Sequence, residues 1–204
     1  MSLKSEIRVP VQKRSREKFE TTLQAAETLI IEHGLDQTSI PEIAKMTGLP
    51  RATIYQYFPD IYVLYAYLAE RHMQHISALL ETRHPAESCS DWRQYIVDLL
   101  KTNATYYAEH PVARVLLLNG PFGRSDLEAH KAKHHALSVL LKTALDSSAT
   151  KYQFPESPDI LILAIEMGFA CFRYGCWYED GISDAVLKEA ETAISGYLSQ
   201  YITE

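Results

Sequence analysis

Cysteine, glycine and long apolar runs are all scarce in this chain of 204 residues, and each scarcity removes a class of protein. The three cysteines, Cys89, Cys171 and Cys176, are odd in number and nowhere spaced C-x-x-C. Neither a disulfide framework nor a zinc site is indicated, and Cys171 and Cys176 read as small core residues. The eight glycines form no G-x-G-x-x-G or P-loop cluster, and no G-x-S-x-G elbow occurs, so nucleotide-binding and serine-hydrolase chemistry lack their usual signatures. The longest apolar stretch, 160–178, is interrupted by Glu166 and Arg173, which argues against a membrane span. An apolar secretion segment is missing from Met1-Ser2-Leu3-Lys4-Ser5-Glu6, and a cytoplasmic protein is expected. What is present, 47% hydrophobic and 23% charged residues, is enough to bury a core.

Positive charge is in deficit overall, at a net −6, yet residues 1–18 carry six basic side chains, including Lys13 and Arg14, against two acidic ones. A polyanion would therefore be met by the N-terminal end, unless residues 1–15 are only a solvated basic arm. Periodicity is helical throughout. Phe19, Leu23, Ala26 and Ile30 share one face of a helix from about Arg16 to His33, stopped by Gly34. Thr38 or Ser39 caps a short second helix, with Pro41 in its first turn, and Gly48 suits a tight left-handed turn. A third helix runs from about Pro50 through Phe58, and a long fourth from Asp60 toward His84. After the Pro85–Ser90 linker five more helical segments follow, about nine in all, with no strand pattern. The expected architecture is all-α: a basic arm over 1–15, a three-helix module over 16–60, and a larger helical domain over 61–204.

The spacing of Ala44, Gly48 and Ile54 carries the functional signal. A helix-turn-helix needs a small residue where its helices approach, a turn glycine and an apolar anchor on the second helix. That second helix enters the major groove with its N-terminal residues at base edges, which makes Arg51 and Thr53 the leading base readers. Arg51 can donate two bonds to guanine, and Gln56 can pair with adenine if it points away from the core. Tyr55 and Tyr57 bring hydroxyls to phosphate height, Thr38 and Ser39 offer hydroxyls at a helix N-terminus, and Lys45 adds charge.

Through Thr38-Ser39, Ile43-Ala44, Gly48-Leu49-Pro50 and Ala52-Thr53-Ile54-Tyr55-Gln56-Tyr57-Phe58, residues 16–68 resemble the tetracycline repressor (TetR) family of bacterial one-component regulators. The resemblance extends the DNA-facing set to Pro50 and Ala52. It implies a homodimer on a palindromic operator in double-stranded DNA, and a helical second domain whose small-molecule effector releases that DNA. It implies no enzymatic activity, no cofactor and no metal. One departure is Ile61, where the family usually places a lysine near the DNA backbone. The loss of one phosphate contact reduces salt dependence slightly, and the basic arm compensates.

The rest of the chain is less specific. Ala164, Gly168, Cys171 and Gly175 form a stripe of small residues on the helix 159–178. With Val186, Ala190, Ile194 and Tyr197 on the last helix they make either a four-helix dimer seam or an intrachain contact, and the dimer is the expectation. An effector pocket is expected among Tyr95, Leu99, Leu117, Phe122, Phe169 and Trp177, with Asn103, His134, Glu166 and Arg173 as its polar groups. Glu166 and Arg173 serve either a polar ligand or the dimer mate. The alternative is a helical metal-dependent enzyme or sensor built on His130, His134 and His135 with Glu128, although neither this cluster nor His72 and His75 forms H-E-x-x-H, and surface histidines on a helix are the commoner explanation.

Overall fold

Phe19, Leu23, Ala26 and Ile30 do become one buried face, on α1 (Lys13–His33), joined there by Thr22, Ala25 and Leu29. The computed structural model describes residues 7, 9–118 and 124–203, excepting the side chains at 124–126, 128–130 and 132. Helix α1 starts three residues before the expected Arg16, so Lys13 and Arg14 stand on its exposed first turn. It ends at Gly34, whose φ of 80° is open to glycine and costly for other residues.

Ser39 is the cap of α2 (Ile40–Thr47), its hydroxyl accepting from the Glu42 N–H at 3.4 Å. Gly48 turns the chain at φ 68°, and α3 (Arg51–Tyr57) follows, with Ile54 wholly buried. Asp60 caps α4 (Ile61–Arg83) by accepting from the Val63 N–H at 2.8 Å. The module's core holds Leu23, Ile43, Ile54, Phe58 and Leu64 at essentially zero exposure. Each contributes roughly 2 kcal/mol of apolar burial. Phe19 stacks on Phe58 with ring centroids 5.0 Å apart, and the Tyr65 hydroxyl reaches the carbonyls of Leu35 and Thr38 at 2.8 and 3.1 Å, tying α4 to the turn before α2.

The second core is built from α5 (Trp92–Glu109), α6 (Pro111–Leu118), α7 (Arg124–Ser147), α8 (Ile160–Tyr178) and α9 (Asp184–Leu198), which brings the described residues to nine α-helices. A single 3-10 turn spans 86–88 in the linker. Two residues of strand, Lys151–Tyr152, pair antiparallel with Ile202–Thr203, a contact too short to leave an alternating pattern in the sequence. Helix α8 has the length and composition of a membrane span, because Glu166 and Arg173 are its only charged residues. One face of it nevertheless forms core, with Ile160, Ala164, Gly168, Phe172 and Gly175 buried.

Two helices belong to both cores. On α4, Leu64 and Leu68 pack in the N-terminal core and Ile76 and Leu80 in the other. On α6, Val112 and Leu116 face the N-terminal core while Ala113 and Leu117 face the second. The i, i+4 pairing puts each couple on its own side of the helix, so α6 is a wedge between the modules.

Candidate nucleic-acid interface and interior cavity

The burial of Ile54 and Ala44 orients α3, because anchoring those two turns Pro50, Arg51, Ala52, Tyr55 and Gln56 to solvent on the opposite face. Gln56 thus points away from the core, and Thr53 is half-buried at the edge. Lys45 on α2 and Lys13 and Arg14 on α1 are exposed, while Ser39 is half-buried at its cap. Two expected contacts do not survive. Thr38 is buried, and its hydroxyl donates to the Gly34 carbonyl at 2.8 Å, so it holds a turn rather than a phosphate. Tyr57 is also buried, edge-on to Phe19, with its hydroxyl donating to the Ser15 carbonyl at 3.3 Å. Tyr55, 48% exposed, keeps a solvent-facing ring. Ile61 is half-buried, whereas Tyr62 beside it is 55% exposed at the capped start of α4. Tyr62 is outside the expected set, and its signal in the sequence is an aromatic hydroxyl in a capped first turn.

In the second domain a cavity of about 60 Å³ lies among α5, α7, α8 and α9. Its described wall holds Leu99, Leu100, Leu137, Phe169 and Phe172 along with Asn103, polar among these, whose amide donates to the Leu99 carbonyl at 2.8 Å. Ligand sites for drug-sized molecules run to roughly 300–1,000 Å³, so a ligand of that size needs the helices to part. Of the expected pocket residues, Leu99, Asn103 and Phe169 line this space. His134 and Glu166 meet next to it, Nδ1 to Oε1 at 2.8 Å, with the imidazole stacked on Phe169 at 5.1 Å.

Other members of the expected set lie elsewhere. Tyr95 is buried toward the linker, donating to the His84 carbonyl at 3.3 Å, and Leu117 sits on α6. Trp177 is 60% exposed on the outer face of α8, Arg173 is half-buried one turn before it, and Phe122 lies outside the described residues. Lys133 went unnoticed in sequence. It is 6% exposed, its Nζ lies 3.9 Å from the Phe169 ring centroid, and burial pushes its pKa down to about 7. Its spacing of four from Leu137 and eight from Leu141 on the cavity face was the sign to follow.

Most of the expected dimer stripe packs within the protomer. Ala164, Gly168 and Gly175 are buried against α9 of the same chain, Cys171 is half-buried at the margin, and Val186, Ala190 and Ile194 are the residues that meet them. A Cβ on Gly168 would come within 2.8 Å of Ile194 Cδ1. Small residues let two helices of one protomer approach closely, and the half-buried Tyr197 lies edge-on to Tyr201 at 5.6 Å.

No three ligating side chains converge on a metal position among the described residues. His135 is exposed, His134 is turned to Glu166, and the side chains of His130 and Glu128 lie outside the described set. At the junction of the two modules His72 Nδ1 lies 2.9 Å from the Tyr106 hydroxyl, with the rings of His110 and Tyr106 4.2 Å apart. Burial, with His110, Arg71 and His75 nearby, holds the His72 pKa down at about 4. The Glu27 carboxylate 3.8 Å away, whose own pKa burial raises, therefore faces a neutral ring at pH 7.

An unfolded His72 takes a proton near pH 6.5 and the folded one only near 4. Its contribution is thus fully present above 6.5 and is lost as pH falls toward 4, by up to about 3 kcal/mol. Urea midpoints measured from pH 7.5 to 4 should fall along that window and flatten in His72→Gln. A parallel fall in the variant would assign the acid sensitivity elsewhere.

The family model described as bacterial regulatory proteins, tetR family, matches residues 23–68. An uncharacterized HTH-type transcriptional regulator of Bacillus subtilis (strain 168), YvdT, is 40% identical over 63 residues, 31% of this chain and 32% of that protein, so the match spans about a third of the relative. Among solved structures, a TetR-family regulator from Streptomyces coelicolor superposes with a TM-score of 0.67 at 17% identity, covering 90% of this chain and 99% of the other. One from Shewanella sp. PV-4 gives 0.66 at 17%, covering 92% and 99%. At that identity the structures establish a shared fold.

Proposed function

We propose, from the similarity of residues 23–68 to the tetR family of bacterial regulatory proteins, that this chain is a cytoplasmic, homodimeric repressor of that family, whose operator is palindromic DNA and whose release is triggered by a small molecule in the interior cavity. The carrying observation is α3, where a buried Ile54 presents Arg51, Tyr55 and Gln56 together on an exposed face. Arg51 and Gln56 read bases, Ala52 and Thr53 lie at the groove, and Tyr55, Ser39, Lys45, Lys13 and Arg14 meet phosphates. Members of this family are regulators and not enzymes, so the His130–His135 segment is assigned no reaction.

The dimer face we assign instead is the outer side of α8. Leu163, Ala170, Tyr174, Trp177 and Tyr178 are exposed there at helical spacing, which leaves an apolar stripe on the surface of one protomer. Coupling runs through α6. A ligand that parts the cavity helices displaces a wedge whose Val112 and Leu116 sit in the DNA-binding core, and so biases the separation of the two α3 helices. By linkage, operator and ligand weaken each other reciprocally.

Selection of the purified protein against random duplex DNA tests this reading, with an inverted repeat expected in the retained pool. Arg51→Ala should relax discrimination at particular base pairs by about 1–3 kcal/mol, while Lys13→Ala weakens all sequences alike and lowers the salt slope by about one. A pool without an enriched repeat, bound without salt dependence, would overturn DNA recognition.

A further inference from the structure

We propose that the interior cavity takes an apolar molecule bearing one carboxylate, and that Lys133 is the cation that receives this head group. The proposal rests on reading the cavity as the effector site and adds the effector's chemical class. Lys133 is buried on α7 with three N–H donors, of which the described contacts use one, to the Leu117 carbonyl at 3.2 Å. Its other close neighbour is the face of Phe169, 3.9 Å from Nζ. Glu166 is the nearby carboxylate, and its Oε1 is held by His134 at 2.8 Å, while Arg173 adds a second positive charge to the surroundings. A buried amine that uses one of its three donors among the described contacts has donors to spare, and a carboxylate is the complementary group.

Position joins this amine to the cavity. Lys133, Leu137 and Leu141 follow one another at steps of four on α7, and the latter two line the space. Phe169 is both cavity wall and the ring beneath the ammonium. Lys133 itself stands outside the lining, on the Phe169 ring, so an apolar body lying against Leu99, Leu100 and Phe172 must extend its head group past that ring to reach the amine. The head group also competes with Leu117 for the ammonium. Since Leu117 lies in the last turn of α6, capture of Lys133 loosens the wedge that enters the DNA-binding core. A purely structural Lys133 would only satisfy a C-terminal carbonyl of α6.

The test is calorimetric titration of the full chain at pH 6.5 with pairs of probes that differ only in head group: decanoate and decanamide, 4-phenylbutyrate and 4-phenylbutanamide, 1-naphthoate and 1-naphthamide. The acid should bind about tenfold or more tightly than its amide in at least one pair, the size expected of a charge-assisted hydrogen bond. Lys133→Met should erase the preference while keeping amide affinity. Around the amine stand Glu166 and Arg173 from α8 and His134 beside it on α7.

Because burial holds Lys133 at about 7, acid binding should weaken from pH 6.5 to 8.5 as the amine loses its proton, and amide binding should not. This pH contrast in the unaltered protein stands even if the variant fails to fold. Equal binding of acid and amide, absence of binding by every probe, or a preference that persists in Lys133→Met would overturn the proposal. Operator binding without head-group preference would sink this inference alone, and head-group preference without operator binding would sink the regulatory reading alone.

Discussion

Gly175→Ala is expected to destabilise the protein by about 2–3 kcal/mol, the upper range for overpacking a closed contact. An added Cβ at 175 would sit 2.5 Å from the Gly181 carbonyl oxygen and 3.2 Å from both methyls of Val186. The obstacle is backbone, and that backbone is clamped, since the N–H groups of Glu179 and Gly181 donate to the Gly175 carbonyl at 2.9 and 3.1 Å. Relief requires moving the turn that starts α9.

Gly168→Ala is the control. Its new Cβ would be tight only against the tip of Ile194, which can rotate into the adjoining cavity, with Leu100 at an ordinary 3.7 Å, and a helix gains about 1 kcal/mol when alanine replaces glycine. Denaturant midpoints should therefore barely move for Gly168→Ala and fall steeply for Gly175→Ala. Wild-type stability in Gly175→Ala would mean that the turn at Gly181 does not close against Gly175.

The two glycines also mark where sequence stops being sufficient. Helical period, caps and turn residues are local, and they located α1 to α4 to within three residues, along with Ser39, Gly48 and the outward face of α3. A stripe of small residues is equally local, yet it says only that something approaches closely. Whether that is α9 of the same protomer or α8 of another depends on tertiary direction, which period does not encode. The same holds for polar groups. Tyr55 and Tyr57 differ by two positions on a short helix, enough to send one to solvent and the other against Phe19. Spacing alone puts Lys133 in line with Leu137 and Leu141, but a lysine is ordinarily a solvated residue, and its burial follows only when α6, α7 and α8 are brought together. In contrast, His134 and Glu166 were each identified singly as polar residues on apolar faces, and their meeting at 2.8 Å gives those separate signals one cause.

If the outer stripe of α8 is the dimer face, Tyr174→Arg with Trp177→Arg should yield a monomer in sedimentation and lower operator affinity by about 10²–10⁴-fold, the loss expected when two linked half-site contacts become independent. Both side chains are more than half exposed on the protomer, at 51% and 60%, so the substitutions spare the core and helical content should stay unchanged. An isologous contact doubles the effect, because every inserted arginine faces the same patch on its mate and four like charges enter a desolvated seam together. Binding to a single half-site should survive at low salt, since Arg51, Gln56 and the basic first turn of α1 lie on the far module. A double variant that remains dimeric would place the seam elsewhere. One that is monomeric yet binds the full operator undiminished would separate dimerisation from recognition, and with it remove the geometric lever by which a ligand in the second domain alters the spacing of the two recognition helices.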